Sequence, residues 1–182
     1  MSTLHLTDSA TAVGAAGCAR APPDADRPDV IAVSFAGSAS RWLDDWQATV
    51  GEPRRLTVVT SDAAAWLAGD PHDRLDAIAD GADVRVELVD SPRNFTDLGV
   101  TLTELLESYG ERDWPTALCF RSLTVLLQYA DSEDVYQFLH TLVGHLDRFD
   151  VAGHFHLHVD AHDEDVIATL EPLFDRVVRD SS

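Results

Sequence analysis

The chain has 182 residues, 45% of them hydrophobic, and carries 32 acids against 13 bases, a formal net charge of −19. That length supports one substantial core and one domain, and that charge argues against direct nucleic-acid binding, which needs clustered cations for the phosphate backbone. No apolar run approaches the ~20 residues of a membrane-spanning helix, so no membrane partner is expected.

Residues 1–28 read as a flexible tail rich in Ala, Gly, Pro and Asp, without the basic segment of a secretion signal. From Asp29 the pattern changes to apolar runs alternating with amphipathic segments. "VIAVSF" (30–35) predicts a strand buried on both faces. Ser38 or Ser40 can cap a helix over "RWLDDWQATV", where Trp42, Leu43, Trp46 and Val50 recur at helical spacing. "RLTVVTS" (55–61) is a second strand, followed by a helix over 62–80 with Asp62 as N-cap and an interruption near Gly69–Pro71. "DVRVELVD" (83–90) alternates Val84, Val86 and Leu88 with Arg85 and Glu87, the pattern of a third strand. A helix over 98–110 ends at Gly110, and "TALCF" (116–120) is a wholly apolar fourth strand. Residues 132–149 predict a helix opened by Ser132 and early acids, with Val135, Phe138, Leu139, Leu142, Val143 and Leu146 on one stripe. "AGHFHLHV" is a fifth strand, "EDVIATLEPLF" a helix and "DRVV" a short last strand.

Strands alternating with helices imply βαβ units. The expected fold is therefore an α/β three-layer sandwich with a mostly parallel sheet, formed by residues 29–180 as a single domain.

The charge has a second reading. All 13 bases are arginine, lysine is absent, and Asp (24) outnumbers Glu (8). Such a short-chained acidic surface repels itself at low salt and stays hydrated near molar salt, where the screening length shrinks to about 3 Å. The composition points to a cytoplasmic protein of an extreme halophile.

At "TALCFRSLTVLLQYAD" (116–131) an apolar strand is followed by a polar step and Ser-Leu-Thr. This resembles the Walker B region of RecA- and KaiC-like ATPases. Together with "VIAVSF", "DSPRNFTDLGVTLTELL" and the terminal "HFHLHVDAHDEDVIATLEPLFD", it resembles a haloarchaeal family of degenerate KaiC/RecA-like, transducer-like domains, over roughly residues 29–180. The resemblance implies a RecA/KaiC-like P-loop-type topology and a part in signal transduction. Its departures decide the chemistry. A P-loop needs a glycine-rich turn, a lysine for the β/γ oxygens and a hydroxyl for Mg²⁺, whereas "AGSASRW" after "VIAVSF" offers one glycine and no lysine. Where an ATPase places a carboxylate for the metal, this chain has Arg121, a cation that repels Mg²⁺ and suits an anion or an ion pair with Asp90.

"AGHFHLHVDAHDED" (152–165) concentrates four histidines in fourteen residues. On a strand, His154, His156 and His158 share one face, and neighbours two apart are close enough for two imidazoles to reach one zinc. His156, His158 and His162 are the metal candidates. The plainer reading makes them hydrogen-bonded strand side chains with no metal, because a third convergent ligand is not legible. His140 and His145 fall on different helix faces, and His5 and His72 in the tail and a loop. Ser34, Ser61 and Ser122 lie near strand ends without a GxSxG elbow, and Cys119 reads as a small core residue with no disulfide expected.

No catalytic residue and no cofactor is assigned. The expected function is a non-catalytic, regulatory domain acting through protein partners, in which oligomers are possible. One alternative is a ligand- or nucleotide-sensing module that uses Arg121 without hydrolysis. A second alternative is a metal-dependent enzyme using the cluster from His154 to His162.

The charge generates a direct test. As KCl falls from 1 M to 0.1 M the screening length grows from about 3 Å to about 10 Å, so circular dichroism across that series should show the fold expand or melt. Equal stability at both ends would remove the halophile reading.

Overall fold

The computed structural model describes residues 1–7, 27–35, 53–62, 83–111, 114–121 and 123–180. Within them lie seven strands: β1 (Ser2–Thr7), β2 (Asp29–Val33), β3 (Arg55–Thr60), β4 (Asp83–Leu88), β5 (Thr116–Phe120), β6 (Ala152–His158) and β7 (Arg176–Asp180). Four α-helices accompany them: α1 (Phe95–Gly110), α2 (Leu123–Tyr129), α3 (Ser132–Arg148) and α4 (Glu164–Leu170). The expected helix at 41–50 and, beyond Asp62, the one at 62–80, with Ser38, Ser40, Trp42, Trp46 and His72, lie outside the described residues, as does Ser122.

All strands run parallel in one sheet of order β4-β3-β2-β5-β6-β1-β7. The α/β sandwich expected from the alternation is the fold observed. One expectation is corrected: residues 2–7 are not tail but strand β1, buried along its whole length and paired on both edges, with Leu4 beside Phe155 and Val177. The sheet therefore takes in residues well before 29. The physical reason is the alternation in "STLHLT", which sends Leu4 and Leu6 to one face and Thr3, His5 and Thr7 to the other.

Leu4, Leu6, Ile31, Val33, Leu118, Phe120, Phe155 and Leu157 form one face of the sheet and pack against α1 to α4 in a single core. Close approach of α3 to β6 depends on Gly153, where an added Cβ would lie 2.6 Å from Leu146 Cδ1. Helix α1 starts three residues before the expected boundary because Asn94 caps it, its side chain accepting from the Asp97 N–H at 3.1 Å. Helix α3 begins at Ser132, with Asp131 rather than Ser132 at its N-cap. The edge strands carry charge, Arg85 and Glu87 on β4 and Arg176 and Arg179 on β7, which discourages pairing with further strands.

At the amino edge of the sheet an ion cluster around the buried Asp29 ties β2 to β3. Arg54 donates two hydrogen bonds to Asp29, Nε at 2.9 Å and Nη2 at 2.6 Å, and the Asp29 side chain is 0% exposed. Arg55 Nη2 stands 3.9 Å from the same carboxylate. Arg54 also stacks on Trp114 at 4.3 Å and Arg55 on Tyr109 at 4.6 Å, while Tyr109 bonds Thr57 at 2.6 Å. The Asp29 hydrogen bond raises the Arg54 pKa, and burial raises that of Tyr109, so the guanidinium stays charged and the phenol neutral. Removing the acid strands two arginines beside a desolvated hole. Asp29→Ala should cost about 3–5 kcal/mol in denaturant unfolding, the range for a broken buried pair, whereas Arg54→Ala, whose side chain is partly exposed and whose partner keeps Arg55, should cost less.

Candidate functional site

Ligands of open α/β sheets bind beyond the carboxyl ends of strands, where successive connections leave in opposite directions. The strand order has two such points. From β2 the chain proceeds to β3 on one side, while from β5 it proceeds to β6 on the other, so the first lies between β2 and β5. The second lies between β1 and β6, since β1 leads toward β2 and β6 toward β7 on the far side of β1.

Ser34 and Arg121 stand at the first point, immediately after β2 and β5. Backbone pairing fixes both: Arg121 N–H donates to Val33 O at 3.0 Å, and Ser34 N–H to Val59 O at 3.0 Å. The expected ion pair of Arg121 with Asp90 is not formed. Asp90 follows β4, with β3 and β2 between it and β5, a separation of roughly three strand spacings of about 4.8 Å. The Asp90 N–H is instead bonded to Asp97 Oδ2 at 2.9 Å. Arg121 reaches the histidine layer electrically, since its charge is among the causes that hold the His156 pKa down.

The second point carries Thr7, His158 and His162. Thr124 Oγ1 accepts the His158 N–H at 2.9 Å, tying α2 to the end of β6. The Nε2 atoms of His158 and His162 and the Oγ1 of Thr7 are buried without a hydrogen-bond partner. Burial lowers the His162 pKa first, and the neighbouring His158 lowers it further. A shallow recess beside this point is lined by Leu6, Asp160, His162, Glu164 and Arg179.

Across β6 and β1, on the sheet face opposite the described helices, lies a layer of imidazoles that sequence reading assembled only in part. His5 on β1 is the missed member. It pairs in register with His156 and stacks on it with ring centroids 4.7 Å apart and planes 12° from parallel. Its Nε2 meets His154 Nδ1 at 3.2 Å, a contact that requires one nitrogen to donate and the other to accept, so at least one ring is neutral. His5, His154 and His156 are exposed by only 2%, 5% and 2%. The signal for His5 was in the sequence: "LHL" at 4–6 repeats the alternation of "FHL" at 155–157.

The three metal candidates are thus divided. His156 faces His5 and His154, with its Nε2 4.0 Å from Cys119 Sγ, while His158 and His162 stand together at the strand end. Among the described residues no group of three or more His, Cys, Asp or Glu side chains is placed to hold a metal ion. Cys119 is buried in β5 as expected, but it is disulfide-bonded, against the expectation of a free core thiol.

Burial is the first cause that lowers the His156 pKa well below 6.5, followed by the nearby His5, His154 and Arg121. The unfolded chain takes up a proton at this residue near pH 6.5, and the folded chain refuses it. Below about pH 6.5 the unfolded state therefore binds more protons, and stability falls as the pH drops, whereas above it the residue contributes nothing to the slope. His156→Gln should cost about 1–3 kcal/mol at pH 7 through lost packing and hydrogen bonding. Thermal melts between pH 7 and pH 5 should show a steeper decline for the wild type than for this variant; parallel slopes would mean the imidazole is not held neutral by the fold.

A solved structure from Pyrococcus horikoshii OT3, described as a structural study, superposes with a TM-score of 0.60 at 9% identity, covering 100% of this chain and 82% of the other. At that identity the likeness speaks for the fold alone. No curated protein matches the sequence. The match that spans the sequence is to a family of unknown function over residues 2–180, β1 through β7, and the chain belongs to that family, DUF7504.

Proposed function

We propose that this chain is a non-catalytic RecA/KaiC-like domain that acts in regulation or signal transduction through protein partners in the cytoplasm of a halophilic archaeon. The observation that carries the non-catalytic reading is Arg121. It follows β5 directly at a point where the sheet opens to a ligand, in the place where the RecA/KaiC resemblance requires a carboxylate. A guanidinium there opposes a magnesium ion instead of holding its hydration shell.

The strand order supports this reading from a second side. Because β1 is an interior strand, the segment available for a phosphate cradle at the second opening starts at Asp8 and reads "DSATAVGAAGCA". It holds Gly14 and Gly17 but neither a lysine nor a GK[ST] ending, and the segment after β2 lacks them equally. Both positions that could cradle a triphosphate are thus without the cation that the chemistry uses.

Arg121 also favours a second reading, an anion- or nucleotide-sensing module without hydrolysis, since a strand-end arginine beside Ser34 is a natural anion contact. The two readings separate experimentally. In high-salt buffer with Mg²⁺ we expect no ATP hydrolysis above background, and Arg121→Asp should create none. Turnover that survives repurification would overturn the non-catalytic reading. A rise in melting temperature with ATP or phosphate that Arg121→Ala abolishes would favour the sensor over the protein-contact domain.

A further inference from the structure

On the outer surface of the helical layer, α1 and α3 diverge around a groove of about 570 Å³. Its floor and walls are built from Phe95, Gly99, Val100, Phe138 and Leu142, with threonines between them. Phe95 and Phe138 stack at 5.2 Å, and Val100 is 53% exposed. Gly99 keeps the groove open: a Cβ added there meets only Phe138, at 3.9 Å, which is ordinary contact.

Its rim is acidic. Glu104 from α1 and Asp134 from α3 line the opening, and α1 contains no basic residue while α3 has one arginine, Arg148, in its last turn. An anionic amphiphile such as a fatty acid would bring its carboxylate against these acids. A second copy of this chain would bring the same acid pair and a net charge of −19. The dimensions fit a helix: from Phe95 to Glu104 the groove runs nine residues of α1, about 14 Å, enough for anchors at positions i, i+3 or i+4, and i+7.

We infer that this groove docks a partner protein through a cationic amphipathic helix, its apolar side chains seated between α1 and α3 and its Lys or Arg residues facing Glu104 and Asp134. The inference rests on the protein-contact reading and names the partner's chemistry. The two fail separately, because ATP turnover leaves the groove untouched and a closed groove leaves the strand-end chemistry untouched.

The probe is a fluorescein-labelled peptide of about 18 residues with Leu at positions of one helical face and Lys elsewhere. Two controls replace Lys by Glu or Leu by Ser. Fluorescence anisotropy with the full chain should show binding of the Leu/Lys peptide and weak or no binding of either control. Gly99→Leu, which fills the groove, should weaken binding by about tenfold or more while the melting temperature holds. Gly144→Leu, at a glycine of α3 with nothing within 4 Å of its Cβ position and outside the groove, should bind as the wild type does. Glu104→Arg with Asp134→Arg should weaken the Leu/Lys peptide and strengthen the Leu/Glu one. Equal binding of the Lys/Ser peptide, indifference to Gly99→Leu, or a dimer in sedimentation that Gly99→Leu dissociates would each overturn the proposal.

Discussion

The six residues of β1 hold the carboxyl-terminal third of the sheet in place. Their backbone pairs with β6 on one edge and β7 on the other, and without them β7 has no neighbour and the interior of β6 becomes an open edge. Asp175 reinforces the seam, accepting from the Ser2 N–H at 2.7 Å; that bond holds its carboxyl below the ordinary range. Since these contacts join residues more than a hundred and forty positions apart, the loop-closure entropy is paid before they form. Long-range parallel pairing of this kind is intrinsically slow to assemble. The first strand made is thus among the last able to complete the sheet.

Most of the element order was legible in the sequence, and the reason is periodicity. Buried parallel strands such as "RLTVVT" and "TALCF" are short apolar runs bounded by polar turns, and α3 carries an unbroken apolar stripe. Strand β1 escaped because its neighbour in sequence is a long Ala/Gly/Pro/Asp stretch, whose composition dominates any window that includes it. Its own alternation is as clear as that of β6. What no local pattern reveals is strand order: the distance of Asp90 from Arg121, and the proximity of His5 to His156, are properties of the sheet rather than of either segment. The groove between α1 and α3 was hidden for a related reason, since Gly99 and Val100 read as ordinary helix residues until the partner helix is in place.

The imidazole layer shows how a parallel sheet tolerates polar groups in its interior. At positions 5, 154 and 156 three rings in contact with one another satisfy part of their own polarity, which an aliphatic side chain would not carry. The arrangement holds while at least one ring of the bonded pair is neutral. Protonating one ring leaves the pair 3.2 Å apart able to share a proton, whereas protonating two places like charges in contact in a medium that screens them poorly. Arg121, fixed by β2 pairing, keeps a further positive charge within reach of the layer. The neutrality of His156 owes most to burial, and the arginine adds to it.

The same arrangement bears on chemistry at the sheet's carboxyl edge. An acidic protein with a formal charge of −19 surrounds its ligands with a negative field, so a phosphate group approaches against that field unless a local cation offsets it. In P-loop enzymes the offset comes from a lysine and a magnesium ion held by carboxylates. Here Arg121 follows β5, and His156 behind it is held uncharged by burial first, then by the neighbouring His5 and His154 and by that guanidinium. One positive charge can orient an anion. The outer face of the helices has the opposite character, an apolar floor with acids at its rim. On the readings proposed above, a sheet edge bearing a cation and a helical groove with an acidic rim suit different classes of ligand.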